Sequence, residues 1–150
     1  MPNDFKNFSN FKIHTQYSIC EGAVKIDELA NFCKENKLQS VGLCDSHNLC
    51  GAMEFAEKIS KTGSQPIIGT QINFKLEEMS EKLPLFAMTE VGYKNLTKLS
   101  SMSYLQSKDK DQPCCYLSDL ENLNEDVIVL SGGHRDFFGN LFKKNKLKII

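Results

Sequence analysis

Two stretches carry the side chains best suited to chemistry. Residues 11–17 read FKIHTQY and residues 43–51 read LCDSHNLCG. Each joins a short apolar run to polar residues, the pattern of a strand giving way to a loop. That places an imidazole, His14, and a carboxylate, Asp45, at the carboxyl ends of two successive strands. Parallel α/β folds build their sites along that edge. Histidine and carboxylate side chains converging there would offer a divalent metal its ligands, and a bound metal activates water. The functional question is whether these strand ends form such a site.

The elements that must position them follow from periodicity. Phe11 to Thr15 alternates and predicts a first strand. Ile26, Leu29, Ala30 and Cys33 recur at helical spacing up to about Lys37, with Asp27 and Glu28 suited to the positive end of the helix dipole. Val41 to Cys44 reads as a second strand, and Gly51 to Lys61 as a second helix. A third strand, Pro66 to Phe74, is expected to break at Gly69, and Glu77 to Lys82 to form a charged connection before a fourth strand, Leu83 to Met88. A third helix over 92–105 carries Tyr93, Leu96 and Leu99 on one stripe; residues 106–116 read as a loop. A short helix over 117–123, a fifth strand over 127–130 and an amphipathic helix over 137–144 complete the chain. Alternation of strands and helices predicts an α/β fold with mainly parallel strands. Right-handed crossovers then gather His14, Asp45, Ser46, His47, Gln71 and the segment from Ser131 to His134 on one rim.

The 150 residues predict one domain. A formal net charge of −1 offers no general pull toward nucleic acid. The opening lacks the basic and apolar regions of a signal peptide, and no apolar run approaches the roughly 18 residues that span a bilayer. The expectation is a cytoplasmic protein with no membrane partner. Cys20, Cys33, Cys44, Cys50, Cys114 and Cys115 contain no zinc-type spacing and read as free thiols, mostly buried. Ser131-Gly132-Gly133 has the form of an anion-binding nest, but no phosphate-loop Lys or Arg accompanies it, so the glycines read as a tight turn. The basic tail with Lys143, Lys144, Lys146 and Lys148 reads as a solvated face, and a nucleic-acid module would need a stacking platform as well.

FKIHTQYSICEGAVKIDELA, CDSHNLCGAMEFAEK, QPIIGTQINF, VGYKNLTKLSS and VIVLSGG occur in that order across nearly the whole chain. Together they resemble the opening of the alpha subunits of bacterial DNA polymerase III, the PHP (polymerase and histidinol phosphatase) domain. The resemblance implies a partial PHP-type distorted β/α barrel of about five strands, with residues 1–150 forming the amino-terminal part of that domain. The remainder of the domain and all polymerase domains would lie outside it. Intact members hold up to three metal ions at the strand ends.

Set against that pattern, this chain has lost ligands. The family's His-x-His reads Lys12-Ile13-His14, its Asp-His reads Asp45-Ser46, and the Glu two residues after a Gly is Gln71 after Gly69. Lys12 and Gln71 together shift the local charge by about two units against a divalent ion. The resemblance therefore implies a degenerate metal site, a cavity with remnant or substituted positions Lys12, His14, Asp45, Ser46 and Gln71 and no bound metal; the alternative is that Lys12 pairs with Asp45, so that charges replace the metal. His47 and His134 are the substitutes to weigh. The implied role is a scaffold of the replicative polymerase, joined to the rest of the alpha subunit and docking the proofreading 3′–5′ exonuclease subunit. It would meet DNA only through the holoenzyme, with no catalytic or cofactor-binding residue of its own. No cofactor is expected in this segment, Mg²⁺ belonging to the parent's polymerase site. The alternative is a metal-dependent PHP phosphoesterase or 3′–5′ exonuclease using His14, Asp45, His47 and His134.

Overall fold

The computed structural model describes residues 8–76, 79–107, 113–133 and 137–143. It is a mixed α/β fold that divides into two compact units, Met1–Thr70 and Gln71–Ile150.

In the first unit, helix α1 (Ile26–Asn36) buries Ile26, Leu29, Ala30 and Cys33, one stripe at i, i+3, i+4 and i+7. It stops at Lys37, whose φ of 51° is left-handed and whose N–H returns to the carbonyls of Cys33 and Lys34. Strand β1 (Ser40–Ser46) follows, buried from Val41 through Asp45. Helix α2 (Ala52–Ser60) then lays Ala52, Phe55 and Ile59 against α1 and β1. Ile13, Tyr17, Leu38, Leu49 and Ile68 close the margin of this core. The expected strand over Phe11 to Thr15 does not form; Thr15 alone makes an isolated bridge, to Val24. The carbonyls of Ile13 and of the preceding Asn10 accept from Cys44 N–H and Gly42 N–H, both at 2.8 Å. The unequal spacing, three residues against two, breaks a regular ladder. Gly42 permits this close crossing, since a Cβ there would lie 2.4 Å from the Phe11 carbonyl oxygen.

Strand β2 (Gln65–Leu76) starts in the first unit beside β1 and continues into the second. It runs through Gly69 without the expected break, so Gln71 lies inside a strand and is buried. In the second unit β2 neighbours β3 (Met79–Ala87), which begins within the stretch expected to be a charged connection. Met79 explains this by its burial. β2 also pairs in parallel with β4 (Cys114–Tyr116), from Asn73 opposite Cys114 to Lys75 opposite Tyr116. That short strand, expected as loop, is made by two buried cysteines. Strand β5 (Val127–Val129) runs antiparallel to β3, with Phe86 opposite Ile128, so orientation in this sheet is mixed.

Helix α3 (Glu90–Leu105) starts where Thr89 Oγ1 accepts from the N–H groups of Val91 and Gly92. Its inward stripe is Gly92, Asn95, Leu96, Leu99 and Ser103, whereas Tyr93 is 39% exposed and stands off it. Helix α4 (Leu117–Asn122) is opened by Asp119, which accepts from Tyr116 N–H at 2.8 Å. Helix α5 (Phe137–Lys143) buries Phe137 and Leu141 and holds Glu81 of β3 through Asn140 Nδ2 at 2.8 Å. Among the described residues no helix is long and apolar enough to cross a membrane.

Candidate functional site

The chemistry-bearing residues of the first unit meet where β1 ends. Asp45, the penultimate residue of β1, is fully buried. Its Oδ1 accepts from Thr15 N–H and from Ser18 Oγ, both at 2.6 Å, and its Oδ2 accepts from Thr15 Oγ1 at 2.7 Å. Thr70 Oγ1 donates to its backbone carbonyl at 2.7 Å. Both donor hydroxyls also accept: Thr15 Oγ1 from Tyr17 N–H at 3.3 Å and Ser18 Oγ from Ser46 N–H at 3.1 Å. Burying a carboxylate carries a large desolvation cost unless its oxygens find donors, and here they do.

The segment that supplies those donors is a tight excursion over 15–24. Thr15 bridges Val24, with Gln16 N–H on the Val24 carbonyl at 3.0 Å, and turns over Ser18 bring Glu21 and Gly22 N–H to the Ser18 carbonyl at 2.9 Å each. A Cβ at Gly22 would sit 2.2 Å from the Thr15 carbonyl oxygen, which requires glycine there. Ser46 Oγ donates to Glu21 Oε2, and Asn48 Nδ2 donates to the carbonyls of Tyr17 and Ser46 at 3.0 and 2.9 Å.

A second polar chain fixes the same excursion to the helices. Tyr17 Oη donates to Glu54 Oε2 at 2.6 Å, Lys58 Nζ to Glu54 Oε1 at 2.7 Å, and Lys58 lies 2.5 Å from Asp27 of α1. Hydrogen bonding to Glu54 pushes the Tyr17 phenol upward. Lys58 and then Tyr17 hold the Glu54 carboxyl below its usual value. Asp27 and Glu54 raise Lys58. Gly51 leaves room for the Tyr17 ring, since a Cβ there would be 2.6 Å from Cδ2.

Asp45 and Ser46 share the hydrogen-bonded cluster. His14 directly precedes it and is half-buried; its Nδ1 is buried and meets no hydrogen-bond partner among the described residues. Lys12 is exposed and does not pair with Asp45, whose carboxylate partners are Thr15 and Ser18, so the alternative ion pair is replaced by neutral donors. His47 follows Ser46 with a left-handed φ of 59°, a strained setting for a residue other than glycine. Gln71 belongs to the second unit. Ser131, Gly132 and Gly133 are exposed, with Gly132 at a φ of 73°; His134 lies outside the described residues. Among the described residues no group of three or more His, Cys, Asp and Glu side chains is placed to hold a metal ion. Sequence reasoning missed Thr15, Tyr17, Ser18, Glu21 and Glu54. All six cysteines are free; burial pushes the Cys44 thiol, beside Asp45, up to about 12.

The PHP domain model matches residues 10–148. The chain is 34% identical over 136 residues to DNA polymerase III subunit alpha of Caulobacter vibrioides, covering 85% of this chain and 12% of that protein. Against the Vibrio cholerae subunit alpha it is 34% identical over 146 residues, 95% of this chain and 13% of the relative. Against that of Helicobacter pylori it is 39% identical over 109 residues, 67% and 9%. The chain thus spans about an eighth of the length of the first two relatives. Among solved structures it is similar to a protein assigned as a metal-dependent phosphoesterase from Bifidobacterium adolescentis, with a TM-score of 0.52, 18% identity, and coverage of 66% of this chain and 34% of that one. An amidohydrolase from Chromobacterium violaceum matches with a TM-score of 0.50 and 14% identity over 65% and 32%. At such identities these two likenesses speak for the fold.

Proposed function

The chain belongs to the PHP domain family, and from that premise we propose that it serves as a scaffold segment of a replicative DNA polymerase III alpha subunit. The observation that carries this reading is 34% identity to such subunits over 85–95% of the chain. In this reading DNA-directed DNA synthesis, with its Mg²⁺, belongs to the remainder of the parent subunit. The PHP segment packs against that remainder and offers a docking surface to a separate proofreading 3′–5′ exonuclease.

The metal of intact family members does not fit the residues present. A carboxylate has about four acceptor sites; Asp45 has three occupied by Thr15 and Ser18, and its exposure is 0%. Ser46 is engaged with Glu21, and Lys12 adds a positive charge in the same segment.

The test pairs two assays. The chain is assayed for hydrolysis of p-nitrophenyl phosphate with Mn²⁺ or Zn²⁺, and the parent subunit, with and without this segment, for thermal stability and exonuclease co-elution. No metal-dependent turnover, with a less stable parent on deletion, is the expected result. Metal-dependent hydrolysis abolished by His14→Ala overturns the scaffold reading in favour of a phosphoesterase.

A further inference from the structure

We propose that the outward side of helix α3 is a second packing face, covered in the parent subunit by another part of the same polypeptide. The identity of that partner rests on the scaffold reading of the previous subsection; the face itself stands on the geometry of α3.

A surface helix keeps its apolar residues on one side, and a helix that is apolar all round is buried. Helix α3 is apolar on two sides. Leu96 and Leu99 are buried, whereas Val91, Tyr93, Tyr104 and Leu105 are 43%, 39%, 53% and 84% exposed. On the outward side Tyr93, Thr97, Ser101 and Tyr104 follow one another at i, i+4, i+8 and i+11, and Lys98, Met102 and Leu105 form a stripe beside them. An open groove of about 470 Å³ lies between this second stripe and α4, where Met102 faces Asn122 and Leu123. The four exposed side chains together present about 400 Å², the size of the largest patch on an ordinary monomer and often a functional one.

The polar groups on this side are already satisfied. Thr97 Oγ1 donates to the Tyr93 carbonyl at 3.0 Å and Ser101 Oγ to the Thr97 carbonyl at 2.9 Å, so both hydroxyls turn back onto their own helix. Glu90 and Lys94 pair with each other at 2.7 Å, and Lys98 is the remaining charge of α3. Dissociable interfaces are about as polar as the rest of a protein surface, whereas permanent contacts resemble a core cut in half. The α3 face belongs with the second kind, which favours a segment of the same polypeptide over a separate exonuclease. Ample sequence exists to supply it, because this chain spans about an eighth of the length of its relatives.

Hydroxyl-radical footprinting read by mass spectrometry tests this on unmodified proteins. The samples are this chain at low and high concentration, the parent subunit alone, and the parent with its exonuclease. Oxidation of Tyr93, Met102, Tyr104 and Leu105 should be fast in the chain at both concentrations and several-fold slower in the parent alone, with no further slowing when exonuclease is added. Protection that appears only with exonuclease overturns the proposal. So does protection in the chain that grows with concentration, which would assign the face to a second copy, or no protection in any sample. Leu105→Glu supplies a second measurement. In the chain it should move the melting temperature by no more than about 2 °C, as an exposed substitution does. In the parent it should lower the transition by several degrees, because there the charge would be buried. Equal shifts in the two proteins count against the proposal. Metal-dependent hydrolysis by the chain would strike the scaffold reading instead, while the footprint still decides the α3 face.

Discussion

Gly92→Ala sets helix propensity against packing, and the structure decides the sign. Gly92 lies in the first turn of α3, where alanine should gain about 0.8–1 kcal/mol over glycine on propensity alone. A Cβ at Gly92 would stand 2.1 Å from the Asp126 carbonyl oxygen and 2.9 Å from its carbon. Ordinary contact begins near 3.4 Å, so the helix and the turn before β5 must part by about 1.3 Å (3.4 − 2.1). Backbone is the obstacle, so no rotamer change relieves it. Three bonds span that junction: Met88 N–H to the Asp126 carbonyl at 2.9 Å, Asn95 Nδ2 to the Glu125 carbonyl at 3.0 Å, and Thr89 Oγ1 to Asp126 Oδ2. At about 1 kcal/mol each, their loss outweighs the propensity gain and leaves a net destabilisation of about 2 kcal/mol. Urea unfolding should show this as a lower midpoint at unchanged slope. Adding Asn95→Ala to Gly92→Ala should cost less than Asn95→Ala alone, since the bond is already broken. A Gly92→Ala chain as stable as the parent, or more stable, would refute the reasoning.

Other perturbations have equally definite outcomes. Lys37→Gly should raise stability by about 0.5–1 kcal/mol in the same unfolding assay, because Lys37 is exposed with a φ of 51° at the end of α1. Glu54, held below 4.5 by Lys58 and Tyr17, contributes stability that is complete above that pH and fades as pH falls through its depressed value. Tyr17, raised above 10.0 by Glu54, contributes below that pH and loses its contribution as pH rises through the raised value. Glu54→Gln should accordingly flatten the acid limb of a stability–pH curve, and Tyr17→Phe part of the alkaline limb. Iodoacetamide at pH 8 should modify Cys20 and Cys50 quickly in the native chain and all six cysteines only in urea, since Cys33, Cys44, Cys114 and Cys115 are buried. Rapid native labelling of Cys44, whose thiol burial pushes up to about 12, would count against the packing around Asp45.

Helices were legible because their signal is local. The stripe from Ile26 to Cys33 and the apolar positions of α2 repeat at helical spacing, and burial follows that repeat. Strands were legible where a run is apolar throughout, as in β1 and β5. The misses occurred where pairing partners decide the conformation. Phe11 to Thr15 alternates like a strand, yet its contacts with Gly42 and Cys44 are out of step with a ladder. Cys114–Tyr116 is a strand because β2 lies beside it in parallel, a fact with no trace in three residues. Gly69 reads as a breaker in isolation and is carried through by the neighbours of β2.

At the candidate site the same distinction separates what could be read from what could not. Asp45 and Ser46 stand out because they mark the end of an apolar run, which is a local property. Thr15 and Ser18 do not, since a hydroxyl residue in a loop has many uses and only the fold shows that both turn toward one carboxylate 27–30 positions away. One signal was available. An aspartate at a buried strand end must have its carboxylate satisfied, because an unpaired buried charge costs several kcal/mol. A pairing with Lys12 was one solution, and it would have placed a second charge in the interior with a desolvation cost of its own. Neutral donors avoid that cost, and two hydroxyls with one backbone amide supply three bonds to Asp45 while Lys12 remains exposed. The negative charge of Asp45 therefore has a structural use: it is what the excursion over 15–24 folds down on.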